Sequence, residues 1–255
     1  MARIALISDV HGNRHALEAV LDDLRATPVD RVVCLGDIVG YGPDPGPCLD
    51  LVHEACDLIV LGNHDEAVLV DAVAERLNLR ARASIDYAKS QLSDWHLSLL
   101  KLMPYRCISD DVSFAHAGFG PDRFEYLYDG DAAARCFEAM HTEMGCVGHT
   151  HIPSAFTCCV HPEAGPTEIR TFPLAIASGE STMRYKLPTD RRMVLNPGSV
   201  GQPRDRDPRA AWAVLDTETP ALELRRVEYD TEAVAARIVE AGLPRFHGDR
   251  LRMGT

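Results

Sequence analysis

The sequence predicts an α/β protein built on two packed sheets, and three observations carry that reading. The first half alternates strand-like and helix-like segments, the rhythm of parallel strands joined by right-handed crossovers. After Pro153 the segments become short, β-rich and separated by turns, the pattern of a second, more antiparallel sheet. The chain has 255 residues, 46% of them hydrophobic, with no internal repeat, low-complexity tract or long linker. That is enough apolar material for a full core, and one domain over residues 1–255 fits better than two.

Taken in order, Arg3 to Ser8 is a short β-rich apolar run, too short for a signal peptide, and reads as a first buried strand. His15 to Arg25 carries Ala16, Leu17, Val20, Leu21 and Leu24 at helical spacing. Arg31 to Leu35 is a second strand, followed by a Gly/Pro-rich loop from Gly36 to Pro47 and a helix from Cys48 to Ala55. Asp57 to Leu61 is a third strand. The stretch from Glu66 to Met103 is mostly helical, a helical insertion, with Ser93 as an N-cap and Pro104 beyond its end. Val112 to His116 is strand-like, Asp131 to Met140 helical, and Cys146 to Gly148 ends another short strand. Six β segments follow: Ala155 to Val160, Glu168 to Pro173, Met183 to Leu187, Met193 to Leu195, Ala210 to Asp216 and Leu222 to Glu228. Thr231 to Ala241 is a last amphipathic helix, closed by Gly242 and Pro244.

Charge narrows the function. Twenty-six basic against thirty-eight acidic residues leave a net charge of -12, which disfavours a protein that coats nucleic acid or anionic membrane. No apolar run approaches the length of a membrane-spanning helix. Eight cysteines include no C-x-x-C pair, which leaves a zinc ribbon or thioredoxin-like site unsupported, and without a signal peptide a reduced, cytoplasmic protein is the better reading. Cys34 and Cys146 sit in apolar runs and read as small core hydrophobes. The less ordinary number is eleven histidines.

Five short motifs concentrate the chemistry. They are Asp9-Val10-His11, Gly36-Asp37-Ile38-Val39-Gly40, Gly62-Asn63-His64-Asp65, His116, and Gly148-His149-Thr150-His151. Four of them directly follow a predicted strand. In α/β sheets the carboxyl ends of strands face a common crevice, so these distant segments converge there. Two aspartates, four histidines and one asparagine are the mixed oxygen and nitrogen donors of a first-row divalent metal site. Seven donors exceed one tetrahedral ion and fit two ions sharing a carboxylate, roughly 3.5–4 Å apart as in other two-metal hydrolases. His15, His53, His96, His141, His161 and His247 lie outside any motif and read as surface or satisfied core histidines.

The ordered set D-x-H, G-D-x-x-G, G-N-H-D, H and G-H-x-H resembles the signature of the calcineurin-like metallophosphoesterase superfamily. The later Asn196-Pro197-Gly198-Ser199 segment, running on to Arg204, resembles a loop of its bacterial and archaeal phosphodiesterase branch. The resemblance spans the chain to about residue 216. It implies a four-layer α/β/β/α sandwich of two packed mixed sheets flanked by helices. It implies that Asp9, His11 and His151 hold one ion, that Asn63, His116 and His149 hold a second, and that Asp37 bridges both. The ions would be manganese or iron, with zinc, cobalt or nickel also compatible. His64 would be the general acid, with Asp65 orienting it, although an acid at that position also caps helices. Arg14 and Arg204 are candidate substrate contacts.

The function implied is a dinuclear-metal-dependent phosphoesterase acting on small phosphate esters, diesters above all, through water turned into hydroxide near neutral pH. Relatives with the same motifs leave a phosphoprotein phosphatase or a diadenosine-polyphosphate hydrolase as alternatives, and a non-catalytic scaffold is the reading from another class. Intact His64 and seven intact donors weigh against the scaffold. Long nucleic acid is disfavoured by charge, and oligomeric state is not readable.

Overall fold

The computed structural model describes residues 2–161 and 165–255. The first strand and helix are β1 (Arg3–Ile7) and α1 (Arg14–Arg25), followed by β2 (Arg31–Cys34), α2 (Pro45–Ala55) and β3 (Leu58–Ile59). Then come α3 (Asn63–Leu69), α4 (Asp71–Ala74), α5 (Leu79–Gln91) and α6 (Asp94–Leu102). The middle of the chain forms β4 (Arg106–Ser109), β5 (Val112–Ala115), α7 (Gly130–Ala139) and β6 (Met144–Cys146). The remainder forms β7 (Ser154–His161), β8 (Gly165–Pro173), β9 (Thr182–Lys186), β10 (Arg192–Asn196), β11 (Ala210–Asp216), β12 (Ala221–Val227), α8 (Thr231–Glu240) and α9 (Arg245–Met253).

Two six-stranded mixed sheets result, in the orders β3-β2-β1-β11-β12-β9 and β4-β5-β6-β10-β7-β8. The strands after Pro153 do not make a sheet of their own. β9, β11 and β12 extend the first sheet, where β11 pairs antiparallel with β1, Ala5 opposite Val214. β7, β8 and β10 extend the second, where β10 lies parallel to β6. The reason is burial on two faces. Along β1, Ile4 and Leu6 pack into the layer between the sheets, whereas Ala5 and Ile7 pack against the helices on the outside. β11 divides likewise: Ala213 and Leu215 face inward, Trp212 and Val214 outward. The second sheet sends Phe114, Cys146 and Leu195 into the shared layer, and Ala115, Val147 and Val194 against Phe137 of α7. This is the four-layer α/β/β/α arrangement.

Three local differences from the sequence reading have physical causes. α2 begins at Pro45 because proline suits the first helical turn, where its missing N–H costs nothing. β4 is a half-exposed edge strand, so it shows no apolar pattern. α9 is polar and interrupted by Gly248, but a Cβ there would lie 3.0 Å from the Ala235 Cα, so glycine lets α9 pack on α8. The side chain of His161 lies outside the described residues.

Candidate metal centre

The parallel strands β1, β2 and β3 of one sheet and β5 and β6 of the other all end at one crevice. Asp9 and His11 follow β1, Asp37 follows β2, Asn63 opens α3 just after β3, His116 follows β5, and His149 and His151 follow β6. All seven are buried. Three donor groups have their ligand atoms within 4.8 Å of one another: Asp9, His11 and His151; His11, Asp37 and His64; Asp37, His116 and His149. Asp37 Oδ2 lies 3.6 Å from His11 Nε2 and 3.2 Å from His116 Nε2, between the first and last groups. Asn63 Oδ1 lies 3.2 Å from His116 Nε2.

The outer nitrogens of four imidazoles face backbone carbonyls. His11 Nδ1 donates to Val39 at 3.0 Å, His116 Nδ1 to Leu35 at 2.7 Å, His151 Nδ1 to Gln202 at 2.6 Å, and His149 Nε2 to Phe124 at 3.1 Å. A carbonyl can only accept, so each ring must place a hydrogen on that outer nitrogen. In their neutral form the rings then present bare lone pairs inward. His11 Nε2 and His151 Nε2 face each other at 3.1 Å, as do His116 Nε2 and His149 Nδ1. Facing lone pairs repel unless a cation or a proton lies between them, and outer anchoring of this kind is what metal-ligating histidines have. Asp9 repeats the pattern. Its Oδ2 accepts from Ser8 Oγ at 2.7 Å and His149 N at 3.0 Å, whereas its buried Oδ1 has no hydrogen-bond partner. The donor set therefore fits divalent metal.

Burial pushes the Asp9 carboxyl up to about 7 against the pull of His116, with Asp37 adding to the rise. Burial also opposes the charge on Asp37, but His116, His64 and His11 outweigh it and hold that carboxyl well below its usual range. Burial would lower His116, yet the Asp37 and Asp9 carboxylates lift it to about 9. Burial holds His11, His149 and His151 well below the usual imidazole value.

His64 differs from the other four. Its Nδ1 is buried without a hydrogen-bond partner, and no carbonyl fixes its tautomer. Its ring lies 4.8 Å from that of His11 and 4.5 Å from that of Tyr41. Burial, opposed by Asp37, depresses it to about 4. Asp65 does not orient it. Asp65 Oδ1 accepts from Ile38 N and Val39 N, and Oδ2 from Gly62 N, so this carboxylate clamps the Asp37 loop and caps α3. Arg14 is likewise elsewhere: half exposed on α1, it pairs with Glu18 at 2.7 Å. Arg204 is at the site, with its backbone N–H on the His151 carbonyl and its guanidinium 5.9 Å from the Tyr41 ring centre.

The Asn196–Arg204 loop braces the donors. Asn196 Nδ2 donates to Gly148 O at 2.6 Å and Thr150 Oγ1 at 3.0 Å, and Ser199 Oγ donates to Asp9 O at 2.8 Å. Tyr126 stacks 3.9 Å from the His149 ring, and His247, set aside in the sequence reading, lies buried 4.9 Å from Tyr41. Nothing in a local pattern singles out these two.

Buried donors gathered at strand ends define a metal-centre class of α/β protein. The particular family follows from comparison: residues 2–220 match the calcineurin-like phosphoesterase superfamily domain, and the chain belongs to that superfamily. Its structure is similar to that of a metallophosphoesterase from Sphaerobacter thermophilus, with a TM-score of 0.83, 37% identity, and 99% and 100% of the two chains covered. A hypothetical protein from Pyrococcus horikoshii OT3 shares the fold at a TM-score of 0.74 and 19% identity, over 100% and 99% of the chains. An uncharacterized protein of Methanocaldococcus jannaschii is 34% identical over 257 residues, 98% of each chain. A symmetrical bis(5'-nucleosyl)-tetraphosphatase of Erwinia tasmaniensis is 31% identical over 146 residues, 55% of this chain and 51% of its own. No helix of the described residues is long and apolar enough to cross a membrane.

Proposed function

We propose that the protein is a dinuclear-metal-dependent phosphoesterase of the cytoplasm that hydrolyses small phosphate esters, phosphodiesters first among them. The observation that carries this reading is Asp37 Oδ2 lying between His11 Nε2 and His116 Nε2, which belong to two donor groups. Asp9, His11 and His151 would hold one ion and Asn63, His116 and His149 the other, with Asp37 shared. Manganese or iron would suit these donors best, with zinc, cobalt and nickel as further candidates. When bound, such ions neutralise phosphoryl oxygens and make water a nucleophile near neutral pH. His64, whose ring lies 4.8 Å from that of His11, would give a proton to the departing alkoxide; burial alone favours its neutral form, so the anionic ester beside it would have to stabilise the proton it gives.

The Erwinia tasmaniensis relative, named a symmetrical bis(5'-nucleosyl)-tetraphosphatase, favours a second reading in which the ester is a dinucleoside polyphosphate. Steady-state assays with bis-p-nitrophenyl phosphate, p-nitrophenyl phosphate, a cyclic nucleotide, diadenosine tetraphosphate and a phosphopeptide separate these. Exclusive turnover of the phosphopeptide overturns the diester preference. His64→Ala should lower kcat by about 10²-fold or more on an ester with a poor leaving group, with metal stoichiometry retained. Wild-type turnover in that variant removes His64 from the proton transfer.

A further inference from the structure

We propose that a cavity at the edge between the two sheets is a second ligand site, which takes a small amphipathic carboxylate. Its apolar body would sit between the sheets and its anionic head on Thr157 and Arg191. None of the metal donors lines this cavity, so the site is separate from the metal centre.

β9 ends the first sheet and β8 the second. Between them opens a cavity of about 380 Å³, within the range of small-molecule sites. Its apolar walls include Ala155, Phe172, Leu174, Leu187, Met193 and Leu195. All but Phe172 are buried, and these five belong to the core layer between the sheets. The cavity is therefore an opening in the core rather than a surface dimple.

Two polar groups there have unmet hydrogen-bonding capacity. Thr157 follows Ala155 by two residues on β7 and so shares its inner face, whereas Phe156 and Cys158 pack with Phe137 of α7. Thr157 is 5% exposed, and its Oγ1 has no hydrogen-bond partner. Its neighbours across the ladder, Met193 and Arg170, are both cavity walls. Arg191 Nη2 donates to Glu168 Oε2 at 3.0 Å, whereas its Nη1 is buried without a partner. Tyr185, also in the wall, is already engaged: its hydroxyl donates to Ala175 O and accepts from Ala175 N at 2.8 Å.

Native interiors seldom leave such groups unmet, so a hydroxyl and an arginine N–H lining one cavity point to a bound acceptor. Charge sets its kind. Arg170, Lys186 and Arg191 stand in the walls, and no carboxylate does. Glu168 answers Arg191 and lies 3.8 Å from Arg170, but Lys186 meets no acidic side chain within 4.0 Å among the described residues. One anionic head balances what is left, and a carboxylate accepts from a hydroxyl and a guanidinium alike. The apolar walls favour a hydrocarbon body for the rest of the ligand.

The test is calorimetric titration of the manganese-loaded full chain with octanoate, octanol and butyrate. The wild type should bind octanoate at least tenfold more tightly than octanol, which lacks the charge, and than butyrate, which lacks the apolar body. Thr157→Val and, separately, Arg191→Gln should each weaken octanoate about tenfold and leave octanol unchanged. Ala155→Leu, which fills part of the cavity, should weaken both. Thermal melting and manganese stoichiometry check that each variant is folded with its metal centre intact. Absence of octanoate binding, equal affinity for octanol, or octanoate affinity unchanged in all three variants overturns the site, the last by placing the carboxylate on the metals instead. A dimer in sedimentation that Phe172→Glu dissociates would seat a second copy over the cavity and overturn it too.

Discussion

Asp9, His11, Asp37, His149 and His151 have φ values of 54°, 50°, 54°, 67° and 62°. Left-handed backbone costs a residue with a Cβ roughly 1–2 kcal/mol, and five such residues at one crevice mark a function rather than a folding requirement. Hydrogen bonds between the loops hold them there: Asp9 N to Gly36 O at 3.0 Å and His11 N to Asp37 O at 2.9 Å. The motif glycines are steric partners of the donors. Gly40 has φ 89°, and a Cβ on it would lie 2.3 Å from His64 Nδ1. Gly40→Ala should therefore displace the His64 ring and destabilise the fold by about 1–3 kcal/mol, read as a lower denaturation midpoint together with reduced turnover. Turnover and stability equal to the wild type would show that His64 tolerates displacement. These residue types and their order were legible in the sequence. Their strain was not, because φ at a strand end depends on the neighbouring loop.

At the scale of elements, strand ends place the donors and one loop secures them. The Asn196 side chain spans the Gly148 carbonyl and Thr150 while its own Oδ1 accepts from Gly198 N at 2.8 Å. Replacing it by alanine leaves those buried groups unsatisfied next to His149 and His151. Asn196→Ala should cost about 1–3 kcal/mol of stability and weaken metal affinity about 10–100-fold, measured by denaturant melts and metal titration. Unchanged metal affinity would make the loop a matter of folding alone. Elements with strong periodicity, such as α1 and β11, could be read from the sequence because both depend on a local apolar pattern. The division of the strands after Pro153 between two sheets could not, because every one of them is β-rich and their partners lie far away in the chain. Nor could α9, whose central glycine argues against a helix until α8 is in place beside it.

Over the whole molecule, charge and metal are coupled. Asp9, lifted to about 7, and His116, lifted to about 9, bind protons that a metal ion must displace. A raised pKa means that protons compete with metal from that pH downward. Metal affinity should therefore fall as pH is lowered, with at least one proton released at pH 8 and more below pH 7, measured by calorimetry in buffers of different ionisation enthalpy. A pH-independent affinity would contradict the assigned donors. Metal that binds only the folded chain should also raise the melting temperature, by about 2.7 kcal/mol of stability at a hundredfold excess over Kd, and a chelator should reverse this. The net charge of -12 is compatible with the proposed phosphate site because the metals the donors fit, together with Arg204, would concentrate positive charge there. By itself the sequence determined the α/β class and the family and singled out seven candidate donors, since short motifs after buried strands are local signals with few alternative meanings. Only the tertiary structure decided that Asp65 clamps a loop rather than orienting His64, that Arg14 faces solvent, and that Tyr126 and His247 line the site. Those outcomes depend on which side chains meet across distant segments, and contact of that kind leaves no periodic or spaced trace along the chain.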